Sequence, residues 1–397
     1  MDYLFSDNLR DLKPSAIREI FKALSDPSVI SFAAGNPSPL SFPREEIAEI
    51  AEKIFRDGTL SAKALQYGIT EGDPLLRELV AARLAERFSS YTDGDDLIIV
   101  TGGQQGLDLS CKVLCNPGDV ILCEEPTFIG ALNSFRASGA RPVGVPLKDD
   151  GIDTDALEEA LRREKNVRLI YVIPTFQNPT GLTTSLEKRK KILALAAKYN
   201  VMILEDNPYG ELRFAGEDLP TIKSMDTEGR VIYCGSFSKV LSAGMRVGFV
   251  SAPKAVTQKM VVAKQVNDVH TNVFFQMICA EYMSHYDLDT HIARVRALYR
   301  DKCNLMLSCL DRYVGDKANY TRPEGGLFIW CNTPDLSPSK PIVQACVAKK
   351  LAVVPGEAFL CDTEAQSNGF RLNYSMPSDS QIEIGTKLLA EALDECR

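Results

Sequence analysis

Between about residues 95 and 255 the chain alternates short, nearly unbroken apolar runs with longer stretches whose apolar positions recur every three or four residues. The runs are Leu97–Thr101, Val120–Cys123, Arg141–Val145, Arg168–Ile173, Val201–Glu205, Val231–Cys234 and Gly248–Ser251. The helical-period stretches between them cover about 104–114, 127–138, 154–165 and 185–199. A strand that is apolar at every position is covered on both faces, so this alternation predicts a mostly parallel sheet between two helix layers. A long helical region follows over about 255–312. The rest, about 313–397, mixes helices with strands at Gly326–Cys331 and Phe370–Tyr374, the pattern of an α+β lobe. At the other end, residues 1–30 read as an extended arm and a first helix, with Ser15 as its N-cap. Residues 31–42 are too rich in Gly and Pro for regular structure, and helices are expected at 44–57 and 73–89.

The boundaries proposed from this pattern are an arm and first helix over 1–30, a large domain over 50–290, and a small domain built from 31–49 and 291–397. A length of 397 residues suits two such units.

Composition narrows the partners. The net charge of −8, with no basic tract beyond the helical Lys188–Lys191 cluster, argues against nucleic acid or an anionic membrane. No apolar run reaches the ~20 residues of a membrane helix. The acidic start, Met1 to Asp7, lacks the apolar region of a secretory signal. Eleven cysteines lie without metal-ligand spacing, so reduced thiols, no metal and a cytoplasmic location are expected.

The candidate chemistry sits where strands end. Ser236-Phe237-Ser238-Lys239 follows the run Val231–Cys234, with Arg246 close behind. A lysine set among apolar and small residues has a lowered pKa and becomes a nucleophile toward an aldehyde. Two serines and an arginine suit a phosphate. An aldehyde bearing a phosphate describes pyridoxal 5'-phosphate. Other strand ends carry complementary groups. The turn at Gly102-Gly103-Gln104 opens a helix and offers N–H groups to an anion. Phe128 can stack on a planar ring. Asn178 brings an amide and Asp206 a carboxylate for a protonated ring nitrogen. Tyr209 brings a hydroxyl for a ring oxygen. Arg371, in the β-like run Gly369–Tyr374, suits bidentate capture of a substrate carboxylate.

With these residues in place the chain resembles the class I/II aminotransferases of fold type I, an α/β fold with a large mostly parallel sandwich domain and a smaller α+β domain. The motifs nearest to the kynurenine, 2-aminoadipate and LysN-type branch are Leu65–Gly72, Phe176–Gly181, Gly235–Lys239 and Gly325–Trp330. The resemblance implies that Lys239 holds the cofactor and moves the substrate proton. It implies that Gly103, Gln104, Ser236, Ser238 and Arg246 bind the phosphate, and that Phe128, Asn178, Asp206 and Tyr209 surround the ring. Tyr67 would reach the phosphate from the other subunit of a homodimer with shared sites. Arg371 and Asn178 would bind the substrate carboxylate, Gly35 would lie in the closing loop, and Arg18 would meet acidic side chains. Gly103 stands where many relatives have serine, and Phe128 where tyrosine is frequent. The implied activity is ping-pong transfer of an amino group from an aromatic, aliphatic or 2-aminoadipate donor to 2-oxoglutarate. A β-lyase or decarboxylase on the same fold, or a truncated ligand-sensing domain of a transcription regulator, are the alternatives.

Overall fold

The computed structural model describes residues 3–10, 12, 26, 28–335 and 337–396. The expected helix cap at Ser15 and the candidate Arg18 lie outside the described residues. The centre is an eight-stranded sheet. Its order is Asp95–Val100, Gly248–Pro253, Val231–Ser236, Met202–Asp206, Val167–Val172, Val120–Glu125, Arg141–Lys148 and Gly151–Ile152. The five strands from Val231–Ser236 to Arg141–Lys148 pair in parallel. Their middles are fully buried, as at Leu122, Ile170, Ile203 and Ile232. That burial on both faces is what the unbroken apolar runs require.

The direction of the edge strands decides where chemistry collects. Gly248–Pro253 runs antiparallel to both of its neighbours. Asp95–Val100 therefore points the same way as the parallel core. Its outgoing turn, Gly102-Gly103, reaches the same sheet edge as Ser236, Asp206 and the loop after Val172. The reversed strand starts at that edge, which brings Arg246 there too. Ligands of open α/β sheets sit at this carboxyl edge.

A second sheet orders Asn319–Tyr320, Phe328–Asn332, Gly369–Asn373 and Val354–Pro355, all antiparallel. Phe328 pairs with Asn373, and Trp330 with Arg371.

Three features differ from the sequence reading. The region 255–312 is not one helical run but Lys254–Asn267, Val273–His285 and Leu288–Cys309. Asn272 caps the second by accepting from the Phe275 N–H at 3.1 Å, and Asp287 caps the third through Thr290 at 3.0 Å. A helix at Gly58–Leu65 was not expected. Asp57 starts it by accepting from the N–H groups of Thr59 and Leu60 at 2.8 Å. Ile30–Ser31, at the edge of the Gly- and Pro-rich segment, pairs in parallel with Leu351–Ala352. Pairing partners more than 300 residues away leave no local signal.

Candidate active site

The sheet edge forms one wall of a cleft of about 430 Å³, and the second sheet closes it with Phe328 and Arg371. Gly35, Gly103, Gln104, Phe128, Asn178, Asp206, Tyr209, Ser236, Ser238, Lys239 and Arg246 all line it.

One end is an anion cradle. The helix Gly103–Leu114 starts there with its first N–H groups free of helical partners. The Ser236 hydroxyl donates to Ser238 Oγ at 2.8 Å, and Arg246 Nη1 donates to the same oxygen at 3.4 Å. Gln104 is only half the donor expected. Its side-chain amide donates to Gly130 O at 2.8 Å and Ser134 Oγ at 2.7 Å, which leaves its backbone N–H for a ligand. Gly102 has φ +73, and a Cβ there would collide with the Arg246 guanidinium. Gly102→Ala is expected to cost about 1–3 kcal/mol of stability and to displace Arg246. Thermal unfolding with and without cofactor checks this, because a misplaced Arg246 also shrinks the stabilisation that cofactor gives. At Gly103 a Cβ would meet Cys234 and Ser236 only at ordinary contact distances, 3.8 and 3.9 Å. The serine common in relatives would therefore fit, and its absence is not a steric necessity.

Deeper in the cleft, Asp206 is 4% exposed and has one hydrogen-bond partner, the Tyr171 hydroxyl at 2.9 Å. Burial pushes its carboxyl up to about 7, and the Tyr171 bond acts in the opposite direction. A buried carboxylate without a cation is expensive, and a cationic N–H donor would offset that cost. Asn178 Nδ2 donates to Tyr209 Oη at 3.4 Å. The loop carrying Asn178 is fixed from beneath. Arg189 donates to Pro174 O at 2.7 Å, Glu124 accepts from the Ile173 N–H at 3.0 Å, and Gln177 donates to Pro126 O at 2.8 Å. These buried supports, like Tyr171, escaped the sequence reading. They make long-range hydrogen bonds, and no local spacing marks such partners.

Lys239 Nζ donates to Gly35 O at 2.7 Å. Burial first, and then the positive charges of Arg371 and Arg246, lower its pKa to about 8. Arg371 is 2% exposed. Its Nη1 donates to Asn178 Oδ1 and its Nη2 to Ala33 O, both at 2.8 Å, while Nε has no partner. The guanidinium lies 4.2 Å over the Phe328 ring and 5.0 Å from the Phe359 ring. Burial lowers its pKa to about 10. Among the described residues no acidic side chain pairs with it, so the cleft holds a buried cation.

The donor set fits pyridoxal 5'-phosphate. It supplies hydroxyls and a guanidinium for the phosphate, an unneutralised carboxylate for the ring nitrogen, and a primary amine of lowered pKa. Tyr67 is not part of the cleft. It is 81% exposed and makes an edge contact with His270, centroids 5.7 Å apart.

The family profile described as Aminotransferase class I and II matches residues 27–388. The aromatic-amino-acid aminotransferase 1 of Thermococcus litoralis is 41% identical over 100% of this chain and 95% of its own. The 2-aminoadipate transaminase of Thermus thermophilus is 40% identical over 96% of this chain and 94% of its own. The solved structure of Pyrococcus horikoshii kynurenine aminotransferase superimposes with a TM-score of 0.94, at 38% identity over 98% of this chain and 97% of that one.

Proposed function

The chain belongs to the class I and II aminotransferase family and is a pyridoxal-phosphate-dependent transaminase, and from that premise we propose a reading of its site and substrates. The donors are aromatic, aliphatic and 2-aminoadipate-type amino acids, and the acceptor is 2-oxoglutarate. The observation that carries this reading is Arg371, a buried guanidinium with an unused Nε and, among the described residues, no acidic partner, next to a lysine of lowered pKa. The names of the similar proteins, which act on aromatic amino acids, 2-aminoadipate and kynurenine, support the donor range.

Bound there, the cofactor supplies an electron sink for the substrate's α-carbon. This chain's residues do the rest. Ser236, Ser238, Arg246 and the N–H groups of Gly103 and Gln104 would hold the phosphate. Asp206, oriented by Tyr171, would keep a proton on the ring nitrogen. Phe128 would cover the ring, and Asn178 and Tyr209 would bind its oxygen. Arg371 and Asn178 fix the substrate carboxylate, so that the α-proton faces Lys239 Nζ, the group that takes and returns it. The second sheet shields this exchange from water by covering the cleft with Phe328. Gly35, through its carbonyl, keeps Nζ in place.

Arg371→Lys is expected to raise KM for every amino donor by about 10²-fold, because an ammonium cannot make the paired contact of a guanidinium. Steady-state kinetics with leucine, phenylalanine and 2-aminoadipate test it. Loss confined to one donor would reassign Arg371 to side-chain recognition. Arg18, proposed to meet a distal carboxylate, gives the opposite pattern. Arg18→Ala should weaken 2-aminoadipate and glutamate while sparing leucine and phenylalanine, and equal losses for all four overturn that role.

We propose a homodimer in which the partner's Tyr67 reaches the phosphate. Leu65, Tyr67, Ile69, Val262, Val266 and Val269 are exposed apolar side chains, and Tyr67 meets His270, the neighbour of Val269 in sequence, which suits contact with a second copy. We propose as domains 50–290 for the cofactor and 31–49 with 291–397 for the cover; that the eight-stranded sheet lies within the first and the four-stranded sheet within the second supports this division. Among the described residues no helix is long and apolar enough to cross a membrane, and a cytoplasmic location is our reading.

The decisive experiment is the absorption spectrum of the cofactor-loaded enzyme with each donor in turn. A shift to the pyridoxamine-type band, reversed by 2-oxoglutarate, supports transamination and ranks the donors. Adducts that never give that band point to a lyase, a decarboxylase or a sensor.

A further inference from the structure

A second cleft, of about 340 Å³, lies apart from the active site. Its walls are the segment 213–218 and the face of helix Leu288–Cys309 that carries Arg296 and Arg300. Its charged lining is Arg213, Arg296 and Arg300 against the single carboxylate of Asp218.

Two of these arginines hold unused donors. Arg213 is 7% exposed and lies 4.7 Å from the Phe176 ring. Its Nη1 donates to Ala215 O at 3.1 Å and to Glu324 Oε2 at 2.7 Å. Its Nε is buried without a hydrogen bond, although Asp218 Oδ1 stands 3.2 Å away, off the line of the N–H. Arg296 Nε donates to Glu211 O at 2.7 Å, and its Nη2 is buried with no acceptor. Burial, and then the like charge of Arg87, depress the Arg296 pKa. Buried N–H donors are rarely left unmade in native proteins. Two on one cleft, from two different elements, describe a site awaiting acceptors.

We propose that this cleft binds a phosphate-type oxyanion, free or as a phosphomonoester, on Arg213, Arg296 and Arg300. A tetrahedral oxyanion offers acceptors in several directions at once, which suits guanidinium forks arriving from separate elements. The competing carboxylates are exposed surface groups, among them Asp301, 70% exposed, which accepts from Arg300 Nε at 3.2 Å. Asp218 is 66% exposed and Glu324 is 53% exposed, so each can turn to solvent when the anion enters. The anion would clamp the helix to the segment 213–218. Arg213 also bridges the backbone of Gly325, three residues before the Phe328 ring that lies under Arg371. Occupancy of the second cleft is thereby linked to the support of the substrate site.

The test is calorimetric titration of the cofactor-loaded enzyme with inorganic phosphate and, separately, with glycerol phosphate. Loading fills the cofactor's own phosphate cradle, and the readout needs no turnover, so failure here is distinct from failure of the aminotransferase reading. Saturable binding of about one anion per chain, with Kd on the order of 0.1–1 mM, is expected. Arg296→Gln and the exposed Arg300→Gln should each weaken it about tenfold, while Asp218→Asn should tighten it several-fold. The cofactor's absorption should not change in any of the three. Clearly tighter binding of the ester assigns a phosphomonoester; equal binding assigns free phosphate, and either supports the site. Absence of saturable binding for both anions overturns the proposal, as does binding that Arg300→Gln and Asp218→Asn leave unchanged.

Discussion

Replacing Lys239 with Ala is expected to lower kcat/KM for every amino donor by about 10⁴-fold or more, since the group proposed to move the α-proton is gone. The size of the loss follows from position. Among the described residues no other amine lines the cleft, and Lys239 Nζ is held by Gly35 O at 2.7 Å. Lys239→Arg separates charge from chemistry. It keeps a cation, but a guanidinium stays protonated at any working pH and neither attacks an aldehyde nor accepts a proton. Both variants should therefore be equally inactive, and an active Lys239→Arg enzyme would disprove the role. The pKa gives a second measurement. Burial and two arginines bring Lys239 down to about 8, so at pH 7 about one chain in ten carries the neutral amine. In cofactor-free enzyme, the rate of covalent capture of the cofactor should rise as pH rises through about 8 and level off above it. A lysine left near its ordinary value would keep rising through pH 10.

Asp206→Asn is expected to lower kcat by about 10²–10³-fold, because a neutral amide cannot hold a positive charge on the ring nitrogen. The wild-type carboxylate sits near pKa 7 because burial disfavours its charge. A cation beside it lowers that value. Cofactor affinity should thus be fully present above about pH 7 and fall as the pH drops below it. The Asn variant should show weak affinity without that slope. The same elevated pKa works against folding. Between the ordinary carboxyl range and pH 7 the folded state binds more protons than the unfolded state. This residue's contribution to stability therefore declines as pH rises. The cofactor-free Asn variant should melt no lower than the parent at pH 8. A large drop in its melting temperature would mean that lost activity reflects damaged packing rather than lost charge.

The apolar runs from Leu97 to Ser251 were legible because a strand buried on both faces needs apolar residues at every position. The order in which those strands lie side by side was not. The break of 255–312 into three helices was present in the sequence as Asn272 and Asp287. A helical period read over a long window passes across such caps.

For the site, residue types at strand ends were enough to select Lys239, Asp206, Tyr209, Asn178 and Phe128 as a set, joined by Arg246 just after the lysine and Arg371 within a β-like run. A turn that leaves an apolar strand carries its side chains to the sheet edge wherever the strand lies. The family resemblance, not geometry, added Tyr67, Gly35 and Arg18. Tertiary structure alone decided how the set works. The reversal of Gly248–Pro253 brings Arg246 and Gly102 together. The Tyr171 hydroxyl meets Asp206 across neighbouring strands. Gln104 turns its amide away to Gly130 and Ser134. The second sheet lays Phe328 under Arg371 and strips that arginine of water. Each of these rests on contacts between residues far apart in the chain and on desolvation. Identity and spacing name the groups, but burial sets their charge, and burial is a property of the folded whole.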